Sequence, residues 1–274
     1  MTICRICKNV KLKKIILKEF TIVQCEKCHF GLLEPYPTQN EVDSIYQAEY
    51  FIEKTHSDHI NDSKFKFLYV NKFLVKKPYV LDFGCGTGNF LHSAKVAGWN
   101  AYGFDISEFA AKKVANDLMI PTKYGKVNEK SYENNFFDCI TCFDVIEHLT
   151  DFKDTLRYFL KWLKPNGYLF ISTPDIKSWD AKLLGKKWYG YKKFPEHINF
   201  FSPQSIKILL QNNGFEIKVV KTWGFVRSFD YIINHSSLPN GVKDVFLSIL
   251  TKTKLSEKEV YIPMVDMMVV AQKR

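Results

Sequence analysis

The residues Val80-Leu81-Asp82-Phe83-Gly84-Cys85-Gly86-Thr87-Gly88-Asn89-Phe90 place three glycines within five positions, directly after an apolar run. Glycine weakens helices and strands, so such a cluster marks a tight turn or main chain that a ligand approaches closely. The run YVLDF reads as a strand that stops at Gly84, and the residues from Gly88 onward read as a helix. A turn of this kind, at the carboxyl end of a sheet strand, is where open α/β sheets bind ligands. The spacing is Gly84-x-Gly86-x-Gly88, with Asn89 where a dinucleotide fingerprint carries its last glycine. The Gly-Lys-Ser/Thr of a Walker loop is missing too. The tighter turn exposes backbone to a ribose or a carboxypropyl group rather than to a pyrophosphate.

Working outward, the pattern from Pro78 alternates strand and helix: YVLDF, 88–98, NAYGFDI, 107–118, IPTKY, FFDCITCF, 151–163, GYLFIST, 203–213, FEIKVVKTW and MVDMMVVAQ. Short apolar strands between amphipathic helices imply a parallel sheet covered on both faces. The second strand ends in Asp105, a carboxylate able to accept both hydroxyls of a ribose. Residues 176–201 read as a substrate-loop insertion, and 223–262 as an insertion that caps or dimerises the domain. Upstream, Glu34-Pro35-Tyr36-Pro37-Thr38 resists helix because of its prolines, and 38–76 reads as helical. The division is therefore 1–35, a linker and helical segment 36–77, and an α/β domain 78–274.

Cys4-Arg5-Ile6-Cys7 and Cys25-Glu26-Lys27-Cys28 form two CxxC pairs separated by 17 residues. That spacing fits a zinc ribbon, in which each pair sits on a tight knuckle and a tetrahedral ion replaces a core too small to fold alone. Structural zinc is the favoured reading over iron–sulfur or redox use. Cys85, Cys139 and Cys142 fall in or beside core strands and read as small buried hydrophobes.

Taken together, Asp82-Phe-Gly84-Cys-Gly86-Thr-Gly88, Gly103-Phe-Asp105, Phe137-Asp138-Cys-Ile-Thr-Cys-Phe-Asp144-Val-Ile-Glu147-His148-Leu and Leu163-Lys-Pro-Asn-Gly167-Tyr-Leu-Phe-Ile-Ser-Thr-Pro174 resemble, in order, the motifs of class I S-adenosylmethionine-dependent methyltransferases. The similarity covers about residues 78–222 and is greatest to ubiquinone-biosynthesis O-methyltransferases and sugar-modifying relatives. Members with a zinc ribbon, a Pro-x-Pro linker and the phrase Glu196-His197-Ile-Asn-Phe-Phe-Ser202-Pro203 look especially similar. The resemblance implies a Rossmann-like seven-stranded sheet whose last strand is antiparallel. It also implies that Asp82, Gly84, Gly86 and Gly88 hold the methionine portion of the cofactor and Asp105 its ribose. Phe104, Ile106 and Phe143 are its expected adenine neighbours. The loop Gly125–Glu129 lacks the acid that often meets the adenine amine, so that contact stays unassigned.

Asp144-Val-Ile-Glu147-His148 follows the fourth strand, beside the expected position of the methyl group. Methyl transfer from a sulfonium to a hydroxyl needs an aligned oxygen and removal of its proton, for which a histidine suits neutral pH. His148 is the candidate base, with His197 assisting. A second reading gathers Asp144, Glu147, His148 and His197 around a divalent metal that orients adjacent hydroxyls. A third makes Glu147 a helix cap and His148 a loop anchor.

Residues 176–193, IKSWDAKLLGKKWYGYKK, hold six lysines and one aspartate among Trp179, Trp188, Tyr189 and Tyr191. Lys187, Trp188 and Tyr189 are candidate substrate contacts, lysines attracting phosphate and aromatics stacking on a sugar or base. The alternative is a solvated amphipathic helix anchored by its tryptophans. The net charge of +10, about +8 with a zinc tetrathiolate, favours anionic partners such as nucleotide-linked sugars, glycans, RNA or an anionic membrane surface. An Asp/Asn-Pro-Pro-aromatic motif and a cysteine nucleophile beside proline are both missing, which disfavours base methylation of nucleic acid but not ribose methylation. The hydroxyl or, less favourably, the carbon of a small glycan-like or polyol substrate is the expected acceptor, and an inert zinc-ribbon scaffold is the non-enzymatic alternative. Without a stretch of the ~20 apolar residues a bilayer span needs, the sequence reads as cytoplasmic.

Overall fold

The computed structural model describes residues 3–46, 50, 58–234, 236, 239–253 and 255–274. The N-terminal segment folds as an antiparallel meander of β1 (Leu12–Ile16), β2 (Thr21–Cys25) and β3 (Gly31–Glu34). Two residues from far along the chain, β9 (Asn199–Phe200), add a fourth antiparallel strand against β3. This small sheet is thus closed by the α/β domain itself.

The larger sheet holds β4 (Tyr79–Phe83), β5 (Asn100–Asp105), β6 (Thr122–Tyr124), β7 (Phe137–Phe143), β8 (Leu163–Pro174), β10 (Phe215–Ser228) and β11 (Glu259–Lys273). Their order across the sheet is β10-β11-β8-β7-β4-β5-β6. The first five in chain order pair in parallel, while β11 runs antiparallel to both its neighbours, as the resemblance implies. Continuous apolar runs such as Leu169–Ile171 are what a strand needs when helices cover both faces, and β4 is apolar but for Asp82. Leu81 and Phe83 accordingly enter one core with Phe159 and Trp162, while Val80 enters the other with Phe90 and Phe170. Cys85, Cys139 and Cys142 are buried, consistent with their reading as small hydrophobes.

The helices are α1 (Gln39–Asp43), α2 (Asp58–Val70), α3 (Asn89–Val96), α4 (Glu108–Leu118), α5 (Phe152–Trp162), α6 (Trp179–Leu184), α7 (Tyr189–Lys192), α8 (Pro203–Asn212), α9 (Phe229–Asn234) and α10 (Asn240–Lys252). Three sequence expectations change here. Of the helical segment 38–76, α1 and α2 are seen, and the residues between Tyr46 and Asp58 other than Tyr50 lie outside the described residues. The 176–193 segment is not one amphipathic helix but α6, a 3₁₀ turn at Gly185–Lys187 and α7, because Gly185 adopts a positive φ of 51°. Residues 223–262 do not simply interrupt the last strand pair. The β10–β11 ladder runs on through Ser228↔Glu259, leaving α9 and α10 as the excursion. Among the described residues no helix is long and apolar enough to cross a membrane.

Candidate active site

The glycine turn leaves β4 with φ of 79° at Gly84, 51° at Gly86 and 89° at Gly88, left-handed values that glycine adopts without strain. The Gly84 and Cys85 amides both donate to the Phe104 carbonyl, at 2.7 and 2.9 Å. The Gly86 amide donates to Asp105 Oδ2 at 2.8 Å, and the Ser107 amide to Oδ1 at 2.9 Å. These bonds stitch the turn to the end of β5 and set a carboxylate beside bare main chain. Burial raises the Asp105 pKa, partly offset by the Ser107 and Gly86 amides.

Above this turn lies a cavity of about 500 Å³, within the ~300–1,000 Å³ range of small-molecule sites. Gly84, Gly86, Phe104, Asp105 and Ile106 form its floor, Asp144 and His148 one wall, and Gly125, Lys126 and Val127 another. Phe104 stacks on Phe83 with centroids 4.6 Å apart, which gives the floor a flat apolar face. Sequence reasoning missed the roof: Gln39, Val42, Tyr46 and Tyr50 all line the cavity. The capping box of Thr38 and Glu41, which fixes the start of α1, was the available signal. Gln39 further accepts a hydrogen bond from the Thr150 hydroxyl.

Three cofactor candidates stand outside this wall. Asp82 is buried beneath the turn, where it accepts the Thr141 hydroxyl at 2.8 Å, and burial pushes its pKa up to about 7. Gly88 caps α3, and a Cβ there would meet Val114 and Leu118 at 2.9 Å. Phe143 faces the opposite core. Its ring meets Phe90 edge-on at 5.4 Å, with the Lys66 ammonium 5.1 Å from its centroid.

The acid–histidine group divides. Asp144, at φ 58°, accepts the Ser172 hydroxyl at 2.7 Å and pairs with Lys66 of α2 at 2.5 Å. Burial works to raise the Asp144 pKa, but the Lys66 ammonium and the Ser172 hydroxyl outweigh it and hold it below the usual value. Its side chain remains 47% exposed. Asp144 is therefore committed to Lys66, a residue the sequence reading did not single out, and it leaves the proposed metal quartet.

The other three converge. Glu147 and His148 lie on a 3₁₀ turn, Ile146–His148, and His197 reaches in from the segment before β9. Their ligating atoms all lie within 4.8 Å of one another. The His148 Nδ1 lies 2.8 Å from the Glu196 carbonyl, and the His197 Nδ1 lies 3.0 Å from the Gly190 carbonyl. A carbonyl only accepts, so each Nδ1 carries the proton and each Nε2 is the basic nitrogen. Glu147 is 1% exposed, and neither carboxylate oxygen has a hydrogen-bond partner among the described residues. Burial, then the Asp144 charge, raises its pKa well above normal. Burial and the neighbouring His148 push the His197 pKa well down, so it is neutral at pH 7. A buried carboxyl with orphaned oxygens beside two imidazoles, that of His197 neutral, is a donor set that fits a divalent cation. Glu147 does not act as the helix cap considered from sequence.

At the far side of the ribbon, Cys4 Sγ lies 3.5 Å from Cys28 Sγ, and Cys7 Sγ 3.5 Å from Cys25 Sγ. Tetrahedral Zn–S bonds of ~2.3 Å put sulfurs about 3.8 Å apart, so the four thiols match that geometry. Of the substrate candidates, Trp188 is fully buried and donates its indole N–H to Asp180 at 2.8 Å. It is a core residue and not a stacking platform. Lys187 is exposed and Tyr189 half-exposed; neither lines the cavity. Tyr189 nonetheless feels the Asp266 and Asp144 charges, which help burial raise its pKa.

The comparisons with known proteins agree with this geometry. The profile of a methyltransferase-domain family matches residues 57–220. A ubiquinone biosynthesis O-methyltransferase of Shewanella is 28% identical over 51% of this chain, and the match spans 64% of the relative's length, less than two thirds. The Rickettsia felis protein of the same name is 27% identical over 78% of this chain and 85% of its own. In fold, the chain is similar to a SAM-dependent methyltransferase of Thermotoga maritima, with a TM-score of 0.55 at 21% identity over 86% of this chain and all of that one. A SAM-dependent methyltransferase of Archaeoglobus fulgidus gives a TM-score of 0.51 at 21% identity over 77% and 94%. With the glycine turn, the Asp105 carboxylate and the sheet order in place, this chain belongs to the methyltransferase-domain family and is an S-adenosylmethionine-dependent methyltransferase.

Proposed function

We propose that the enzyme methylates a hydroxyl oxygen of a small polyol, glycan-like or nucleotide-linked sugar substrate, with Glu147, His148 and His197 as a divalent metal site. The observation that carries this reading is Glu147, a buried carboxyl with no hydrogen-bond partner among the described residues, within ligand range of the His148 and His197 imidazoles. Similarity to O-methyltransferases of ubiquinone biosynthesis supports oxygen as the acceptor. Bound there, a cation would lower the pKa of an acceptor hydroxyl.

The chain's own residues do the rest. Asp105 and the Gly84–Gly86 turn would grip ribose and methionine portions. Phe104 and Ile106 would offer the apolar floor for adenine. In-line attack by the acceptor oxygen would form the O–CH3 bond as the C–S bond breaks, leaving S-adenosylhomocysteine, with the hydroxyl proton released to solvent. Cys4, Cys7, Cys25 and Cys28 would hold a structural zinc.

The hydrogen bond from His148 Nδ1 to Glu196 favours a second reading, in which Nε2 is the general base without metal. Labelled cofactor incubated with candidate nucleotide sugars, polyols and RNA identifies the acceptor by mass spectrometry. Loss of transfer on chelation, restored by added cation, supports the metal site; chelator-insensitive transfer that His148→Ala abolishes supports the base. Full turnover in both tests overturns both.

A further inference from the structure

We propose that Asn199 is a positioning residue through which the cysteine knuckles fix the orientation of the His148 and His197 imidazoles. Asn199 is 1% exposed and sits in β9, the strand shared by the ribbon sheet and the α/β domain. Its side-chain amide donates to the carbonyls of Leu149 at 2.7 Å and Glu147 at 3.3 Å. Those carbonyls belong to the turn that carries Glu147 and His148. One residue earlier, the Ile198 amide donates to the Glu147 carbonyl at 3.1 Å, and the Ile198 carbonyl accepts the Leu33 amide of β3 at 3.0 Å. The residue before that is His197. The segment Ile198–Asn199 thus follows His197 directly and is hydrogen-bonded to the turn that carries His148.

Both knuckles press on this strand. Tyr36 donates its hydroxyl to Asn199 Oδ1 at 3.1 Å and to the Thr150 carbonyl at 3.2 Å, and the Arg5 guanidinium lies 3.9 Å from its ring centroid. Arg5 stands between Cys4 and Cys7. The Ser202 hydroxyl donates to the Cys28 carbonyl at 2.7 Å. Each CxxC pair therefore has one direct contact leading to β9 or its flanks. Buried amides satisfied on both sides fix a geometry more sharply than apolar packing does, because any displacement leaves a desolvated group unpaired. The ribbon is in this sense a wall of the active site, and its integrity reports at the imidazoles. The inference rests on the proposed role of His148 and His197 for its consequence but not for its test.

The test uses ¹⁵N-histidine-labelled full-length protein carrying one equivalent of zinc, with S-adenosylmethionine affinity measured in parallel by calorimetry. In the wild type, both imidazoles should show the Nδ1–H tautomer. In Asn199→Ala, both ring signals should shift or split between tautomers, while zinc content holds and S-adenosylmethionine still binds, since Asn199 makes no hydrogen bond to the Gly84, Gly86 and Asp105 floor. Tyr36→Phe, which removes one hydroxyl and keeps the ring under Arg5, should move the same signals less; it stands in should Asn199→Ala not fold. Cys7→Ser should move them as well. Ring signals unchanged in a folded Asn199→Ala or Tyr36→Phe protein overturn the inference. So does a ring change that appears only together with loss of zinc. Because no methyl acceptor enters this measurement, its failure leaves the catalytic reading standing, and an active His148→Ala enzyme leaves the brace standing.

Discussion

Replacing Gly84 by alanine tests whether the turn is shaped by backbone conformation and close approach together. At φ 79° an L side chain costs on the order of 1–2 kcal/mol. The new Cβ would also lie 2.2 Å from Val145 Cγ2 and 3.2 Å from Cγ1, closer than any stable contact. Relief of such overpacking costs about 1–3 kcal/mol. The two effects sum to roughly 2–5 kcal/mol, and at ~2–4 °C per kcal/mol for a chain of this size the melting temperature should fall by roughly 4–20 °C. Val145 lines the cofactor cavity, so its displacement should weaken S-adenosylmethionine binding as well. The discriminating variant is Gly84→Ala/Val145→Ala, in which the clashing methyls are gone and only the backbone cost remains. Thermal melts of the four proteins, with and without cofactor, should give a favourable coupling of about 1–3 kcal/mol. A Gly84→Ala protein that melts with the wild type, or strictly additive losses in the double variant, would refute the reasoning.

Three further outcomes follow from the same geometry. Trp188→Ala should destabilise by about 3–5 kcal/mol, since it empties a buried site and strips Asp180 of its indole donor; a folded variant with a tenfold higher KM and an unchanged melt would restore the stacking role. The Asp82 pKa is raised from 3.8 to about 7, so the stability it contributes is fully present below about pH 4 and is lost as pH climbs through 7. Asp82→Asn should therefore gain on the wild type between pH 5 and 8.5, by about 3 kcal/mol in urea titrations; an equal difference at both pH values contradicts this. Atomic emission should find one zinc per chain held by the four cysteines, and its removal should melt the ribbon in a separate, lower transition. Metal-free protein with an intact ribbon amide spectrum would show the thiols to be mere core.

What the sequence disclosed, and what it hid, follows from range. The glycine turn, Asp105 and the alternating elements are local patterns, and the sheet has the expected seven strands with the last antiparallel. The burial of Asp82 was hidden because a carboxylate two residues before a glycine turn can face a ligand or the sheet, and its bond to Thr141, 59 residues away, points it into the sheet. Trp188 sits among exposed lysines, so only the buried Asp180 reveals its core position. Lys66 met Asp144 across 78 residues, with a helix of ordinary composition as its carrier. The strand β9 is two residues long, too short for any periodicity, yet it completes the small N-terminal sheet from 165 residues further along the chain than β3.

The central claim is that the cavity over Gly84, Gly86 and Asp105 holds the cofactor, and calorimetric titration with S-adenosylmethionine tests it most directly. The wild type should bind one equivalent, and at a hundredfold excess over Kd gain about 2.7 kcal/mol of stability. Asp105→Ala should lose roughly 10–100-fold in affinity, the worth of hydrogen bonds to a charged group. A wild type that takes up no cofactor, or an Asp105→Ala variant that binds it as well as the wild type, would contradict the account.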